Sequence, residues 1–199
     1  MGNPLFSLSE VVQKAKQNQP DTQDKAEIHR FKFLNKHLTK VESLKALNGR
    51  LPTAGEIFFL WTLNSFNAFT FIVYVIKHCG VIQELNLSTY SINDRILTSL
   101  IKWYDKGEIL KINISIADSI KHRMPRIYDQ LSAQAKNRNI NISFNWNHSK
   151  ITAMRTADNY FVVEGSGNFS ENAQHEQYIF LNDKNVYDFR TACICPSSK

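Results

Sequence analysis

Between residues 148 and 177 the chain reads HSKITAMRTADNYFVVEGSGNFSENAQHEQ, a stretch rich in side chains that can handle a phosphate. His148 and Lys150 stand two apart. An imidazole can act as nucleophile or general acid. A neighbouring ammonium attracts an anion and discourages protonation of the ring, which favours a nucleophile. Downstream, Gly165-Ser166-Gly167-Asn168 forms a turn. Its glycines permit unusual backbone angles and leave N–H groups open to phosphate oxygens. Ser166 and Asn168 add a hydroxyl and an amide that can hold those oxygens, and Glu176 supplies a carboxylate that can orient an imidazole or pair with a surface base. Each feature alone has an ordinary reading as a surface pair, a self-capped turn or an ion-paired acid.

The elements that must position these residues alternate along the chain. EIFFLWT (56–62) predicts a buried strand, 64–80 a helix stopped by Gly80, and 81–88 a strand. Residues 92–107 predict an amphipathic helix with Gly107 at its end, 108–116 a strand, 125–137 a helix and 139–146 a strand. Residues 148–155 and 159–164 then read as two strands joined at RTADN, with His148 and Lys150 on one face, and an apolar strand follows Glu176. Such alternation predicts an α/β sandwich built on parallel strands and crossover helices. Ligands in such sheets gather at the carboxyl ends of strands, and His148 lies just past one. Residues 1–50 form a separate helical or irregular extension with a helix over roughly 8–18, leaving 51–199 as the main domain.

The order His148-x-Lys150, Asp158, six residues, Gly165-Ser166-Gly167-Asn168, then Glu176 resembles the HKD motif of the phospholipase D superfamily. The likeness covers about residues 56–190. The sequence departs from the family in having seven residues between Lys150 and Asp158, where four are usual, and in placing Glu164 where an apolar residue is typical. A longer hairpin turn absorbs extra residues without moving the strand ends.

The resemblance implies a mixed sheet flanked by helices that carries one HKD half-site per chain. Two motifs build one family active site, so a single motif implies a homodimer. One His148 would attack phosphorus to give a phosphohistidine, and His148 of the second copy would protonate the leaving oxygen. Lys150 and Asn168 would neutralise the transferring group, with Ser166 helping to bind it. Glu176 would back the imidazole. Asp158 and Gly165 would be structural parts of the motif. The resemblance calls for no metal and no other cofactor.

Charge points to the substrate. The chain carries a formal net charge of +6, and residues 101–155 alone hold ten Lys and Arg against four Asp and Glu. Lys121, Arg123, Arg126, Lys136 and Arg138 would contact nucleic-acid phosphates without reading sequence. The three cysteines lack ligand spacing and fit a reducing compartment. The apolar run 66–76 is too short to span a bilayer, and the N-terminus lacks a signal-peptide pattern, so a cytoplasmic protein without membrane association is expected. Trp103 and Trp146 read as packing residues, with base stacking an alternative for Trp146. The leading expectation is a metal-independent, endonuclease-like phosphodiesterase acting on nucleic acid, DNA first. The alternatives are an inactive HKD-like module that binds nucleic acid, motivated by Glu164 and the long hairpin, and a phospholipid phosphodiesterase.

Overall fold

The computed structural model of the chain describes residues 35–41, 44–62, 67–136, 138–170 and 175–195. Its elements are β1 (Asn35–Val41), a single 3-10 turn at Leu44–Leu47, β2 (Glu56–Thr62), α1 (Phe69–Cys79), β3 (Glu84–Thr89), α2 (Asp94–Asp105), β4 (Ile112–Ala117), the short α3 (Ile120–Arg123), α4 (Pro125–Lys136), β5 (Ile140–Asn145), β6 (Ile151–Arg155), β7 (Tyr160–Gly165), β8 (Gln177–Asn182) and α5 (Lys184–Ile194). Local chemistry sets several ends. The Asn93 side chain accepts the Ile96 N–H at 2.9 Å and starts α2. Gly80 closes α1 at a φ of 79°, its N–H bonded to Ile76 O.

The strands form one eight-stranded sheet in the order β1-β2-β8-β7-β6-β3-β4-β5. β3, β4 and β5 run parallel, whereas β6, β7 and β8 pair antiparallel with their neighbours and with β2. The sheet is therefore mixed, and three strands stand between β2 and β3 instead of the two lying side by side. Following these directions across the sheet puts the carboxyl ends of β2, β3, β4, β5 and β7 on one edge. The amino ends of β6 and β8 fall on that same edge.

Paired residues project to the same side, so the register defines the two faces. Phe58, Phe180, Val163, Thr152, Leu87, Ile114 and Ile142 share one face. That face packs into a core with Phe71, Ile72 and Val75 of α1, Leu97 and Leu100 of α2, and Ile127 and Leu131 of α4. Each such side chain contributes roughly 1.5–3 kcal/mol by leaving water. On the opposite face the row Phe59, Ile179, Glu164, Ile151, Ser88, Ser115, Ser143 changes from apolar to polar across the sheet. The C-terminal helix α5 covers part of it, with Asn86 Nδ2 donating to Tyr187 Oη at 3.0 Å. Asn86, Asn113 and Asn141 bond in series across three strands.

Several expectations change. The first crossover helix starts at Phe69, not 64, and residues 63–66 lie outside the described set. The expected extension over residues 1–50 supplies β1, which pairs in parallel with β2, so the sheet begins inside it. Its sequence NKHLTKV has the lysines of an edge strand and little apolar periodicity, which hid it. The helix expected over 8–18 lies outside the described residues. α5 is not legible as a helix in the sequence, because its apolar residues Val186, Tyr187, Phe189, Ala192, Cys193 and Ile194 do not form one clean helical stripe. Among the described residues no helix is long and apolar enough to cross a membrane.

Candidate active site

His148 and Lys150 lie in the loop between β5 and β6, not on a strand, because β6 begins at Ile151. Side chains from the neighbouring strands hold that loop. Asn147 Nδ2 donates to Ser88 Oγ at 2.8 Å and to Ser115 O at 3.1 Å, and its Oδ1 accepts the Ser149 N–H at 2.9 Å. Ser149 Oγ also bonds Ser88 Oγ. The expected juxtaposition arises by this route instead of by strand periodicity. Lys150 Nζ lies 3.0 Å from His148 Nδ1 and donates to His148 O at 2.8 Å. An ammonium at Nδ1 leaves the ring proton on Nε2. Partial burial pulls the Lys150 ammonium below the usual lysine range, while the Glu176 carboxylate pulls the other way.

A residue outside the motif, Tyr90, holds the other side of the imidazole. The Tyr90 ring centroid lies 4.8 Å from that of His148, tilted by 48°. The Arg123 guanidinium stands 4.0 Å over the same tyrosine and donates to Tyr90 O at 3.1 Å. Tyr90 follows the carboxyl end of β3, the kind of position where ligands gather in such sheets. That topological signal could have found it.

The glycine turn owes its composition to crowding. Neither Gly165 nor Gly167 has a positive φ. A Cβ on Gly165 would sit 2.4 Å from Gln177 O and from the Tyr178 ring, and one on Gly167 would sit 2.1 Å from Tyr178 Oη. The expectation that these glycines serve unusual backbone angles is thus replaced by close approach. Ser166 Oγ donates to Glu176 Oε2, and Ser166 N donates to Gln177 O at 3.1 Å. Glu176 is buried, and its main chain is fixed by Thr62, whose Oγ1 accepts the Glu176 N–H at 2.7 Å. The carboxylate expected to back the imidazole is therefore engaged by Ser166, and His148 Nδ1 is met by Lys150. Asn168 Oδ1 is buried and, among the described residues, makes no hydrogen bond.

The remaining motif residues separate. Asp158 is exposed in the β6–β7 turn, at the opposite end of β7 from Gly165. Glu164 does not face the site as a free charge. Arg190 of α5 binds it bidentately at 2.6 and 2.8 Å. The basic set also divides. Lys121 and Arg123 lie in the short α3 and Arg126 in the first turn of α4, on the site's edge, whereas Lys136 and Arg138 fall near the far end of α4, a helix about 18 Å long. Arg138 is bound bidentately by Asp105 at 2.8 and 2.9 Å. Trp146 is 96% exposed at the carboxyl end of β5, so it is not a packing residue. Trp103 does pack, stacked on Phe69 at 5.1 Å. Among the described residues no three His, Cys, Asp or Glu side chains gather as a metal-holding group.

A groove of about 1130 Å³ opens beside these residues, lined by His148, Lys150 and Ser166 at one end and by Phe59, Trp61 and Ile179 along its floor.

No family model matches the sequence, and no curated protein sequence matches it. Solved structures do. A polyphosphate kinase from Porphyromonas gingivalis aligns with a TM-score of 0.52 at 12% identity, over 72% of this chain and 26% of that one. Nuc from Salmonella typhimurium, a phospholipase D family member, aligns with a TM-score of 0.47 at 19% identity, over 62% of this chain and 81% of that one. Phosphatidylserine synthase from Haemophilus influenzae aligns with a TM-score of 0.46 at 12% identity, over 68% and 36%. The chain shares its fold with part of that kinase. The mixed sheet flanked by helices expected from the sequence is present, and the chain spans about a quarter of the kinase and most of the length of Nuc.

Proposed function

We propose that the chain is a phosphodiesterase acting on nucleic acid, with an active site completed by a second copy of itself. One observation carries this reading: His148, Lys150, Ser166, Asn168 and Glu176 come from the ends of three strands and meet at one sheet edge. The chemistry needs little else. A ring nitrogen of His148 attacks phosphorus, forming a P–N bond as the P–O bond to the leaving strand breaks. The partner's His148 gives its proton to the leaving oxygen and then takes one from water. That water attacks phosphorus, breaks the P–N bond and returns the first imidazole.

Attack through Nε2 requires the ring proton to sit on Nδ1. Lys150 moving from Nδ1 to a phosphoryl oxygen permits that tautomer and neutralises charge where it develops. Ser166 gives its hydroxyl proton to Glu176 and its N–H to Gln177 O, so its hydroxyl would have to turn from Glu176 to donate to a second oxygen, and the Asn168 NH2, not its amide oxygen, would be the donor there. Lys121, Arg123 and Arg126 on the same edge suit a polyanion. Neither feature that motivated an inactive binding module puts a free charge beside the reacting groups. Glu164 is neutralised by Arg190, and the long turn holding Asp158 is at the other end of the hairpin.

The test is cleavage of plasmid and single-stranded DNA in EDTA by the wild type and by His148→Ala. Cutting that persists in EDTA and disappears in the variant supports the reading. Salt-sensitive DNA binding by both proteins without any cutting would replace it with a binding module.

A further inference from the structure

We propose that Phe59 and Trp61 form a stacking platform for unpaired bases, which makes single-stranded nucleic acid the preferred substrate. The inference rests on the phosphodiesterase reading and deepens it. Phe59 and Trp61 are two residues apart on β2 and project to one face, which spaces their rings about 7 Å along the strand. They are 36% and 48% exposed, although the other β2 residues are buried. Large aromatic side chains left open beside a polar site mark a ligand surface more often than a packing fault.

The platform belongs to the same groove as His148, Lys150 and Ser166. β2 and β6 are separated in the sheet only by β8 and β7, so the aromatic pair stands about 14 Å from the strand that follows Lys150. A phosphate held at Lys150 would place its neighbouring nucleotides over this floor. Trp61 is braced from one side, its indole nearly parallel to His175 (21°, centroids 6.2 Å apart), and His175 Nδ1 lies 2.7 Å from Thr62 O. Charge agrees with a polyanion. The acid in the groove wall, Glu164, is neutralised by Arg190, and Lys150 supplies a cation at the reacting end. A duplex keeps its base faces stacked on one another, whereas a single strand can offer them to aromatic rings.

The experiment compares a fluorescent single-stranded oligodeoxynucleotide with the same backbone carrying abasic sites. Affinity is measured on His148→Ala, alone and with Phe59→Ala and Trp61→Ala added. Cleavage is measured on the wild type and on the Phe59→Ala/Trp61→Ala protein, with unfolding and size-exclusion profiles as controls. The expected result is tighter binding of the base-bearing strand, on the order of tenfold per stacked base. The double replacement should abolish that preference and leave cleavage of the abasic strand intact. Equal affinity for both strands with cleavage retained would overturn the platform and spare the phosphodiesterase. A base preference that the double replacement removes, in a protein that cuts nothing, would do the reverse. Loss of dimer in the double variant would reassign the face to a contact between copies. Loss of binding to anionic phospholipid vesicles without loss of base preference would reassign it to acyl chains. Either outcome overturns the inference. Should the double variant unfold, Trp61→Phe and Phe59→Leu each keep a large apolar side chain, and only the first, which keeps an aromatic ring, should keep the preference.

Discussion

Lys150 Nζ contacts both Nδ1 and the carbonyl oxygen of its neighbour His148, at 3.0 and 2.8 Å, so one flexible cation is held against the candidate nucleophile. Partial burial lowers its pKa, with Glu176 opposing. A group that must stay charged to neutralise phosphate loses its effect as pH rises through its pKa. The alkaline limb of cleavage should therefore lie below the ordinary lysine range. Lys150→Met should lower the rate about 10²–10³-fold, as loss of one charge-stabilising donor does. Because the folded state disfavours the ammonium, the variant should not unfold at a lower temperature. A pH–rate profile with a parallel melting curve checks both.

If two His148 rings share one site, mixing matters. Wild type equilibrated with an equal amount of His148→Ala should retain about a quarter of the total dimers as fully wild type, so activity falls to about half of what unmixed wild type at the same amount gives. Independent monomers would show no loss. Activity against mixing ratio decides.

Gly165 and Gly167 leave no room for a methyl group beside Tyr178. Either glycine replaced by Ala should cost on the order of 1–3 kcal/mol through overpacking and should displace Ser166 from Glu176. Chemical denaturation gives the first effect, and loss of cleavage at temperatures where the variant is still folded gives the second.

Glu84 has its pKa lowered: burial raises it, but Lys111, Asn113 and Arg155 outweigh that effect. A carboxylate lowered in the folded state stabilises above its unfolded pKa of about 4.3, and that stabilisation is lost as pH falls through the folded value. Glu84→Gln should be less stable than wild type at pH 7. The difference should shrink under acid, which denaturation at both pH values would show.

Phosphate contacts predict a split in salt dependence. Replacing Lys121 or Arg126 by Ala should each reduce the slope of log affinity against log salt by about 0.9 on duplex DNA. Replacing Arg138, already bound by Asp105, should leave the slope unchanged. Binding isotherms at several salt concentrations distinguish them.

Much of this was legible in the chain. The apolar runs at 56–62, 108–116 and after Glu176 became β2, β4 and β8, Gly80 and Gly107 ended the helices they follow, and the pattern from His148 to Glu176 pointed to a mixed sheet flanked by helices and to the candidate site. These are local properties, written in neighbouring side chains. What tertiary structure decided depends on pairings that local pattern does not encode. Thr62 clamps Glu176 across 114 positions, and Ser149 meets Ser88 across 61. Arg190 neutralises Glu164 only because α5 folds back over β7. Glu176 meets Ser166, Tyr90 braces His148, and Phe59 and Trp61 floor the groove for the same reason. Strand order, which is a matter of competing long-range pairings, determines which residues share an edge, and so determines what the motif can touch.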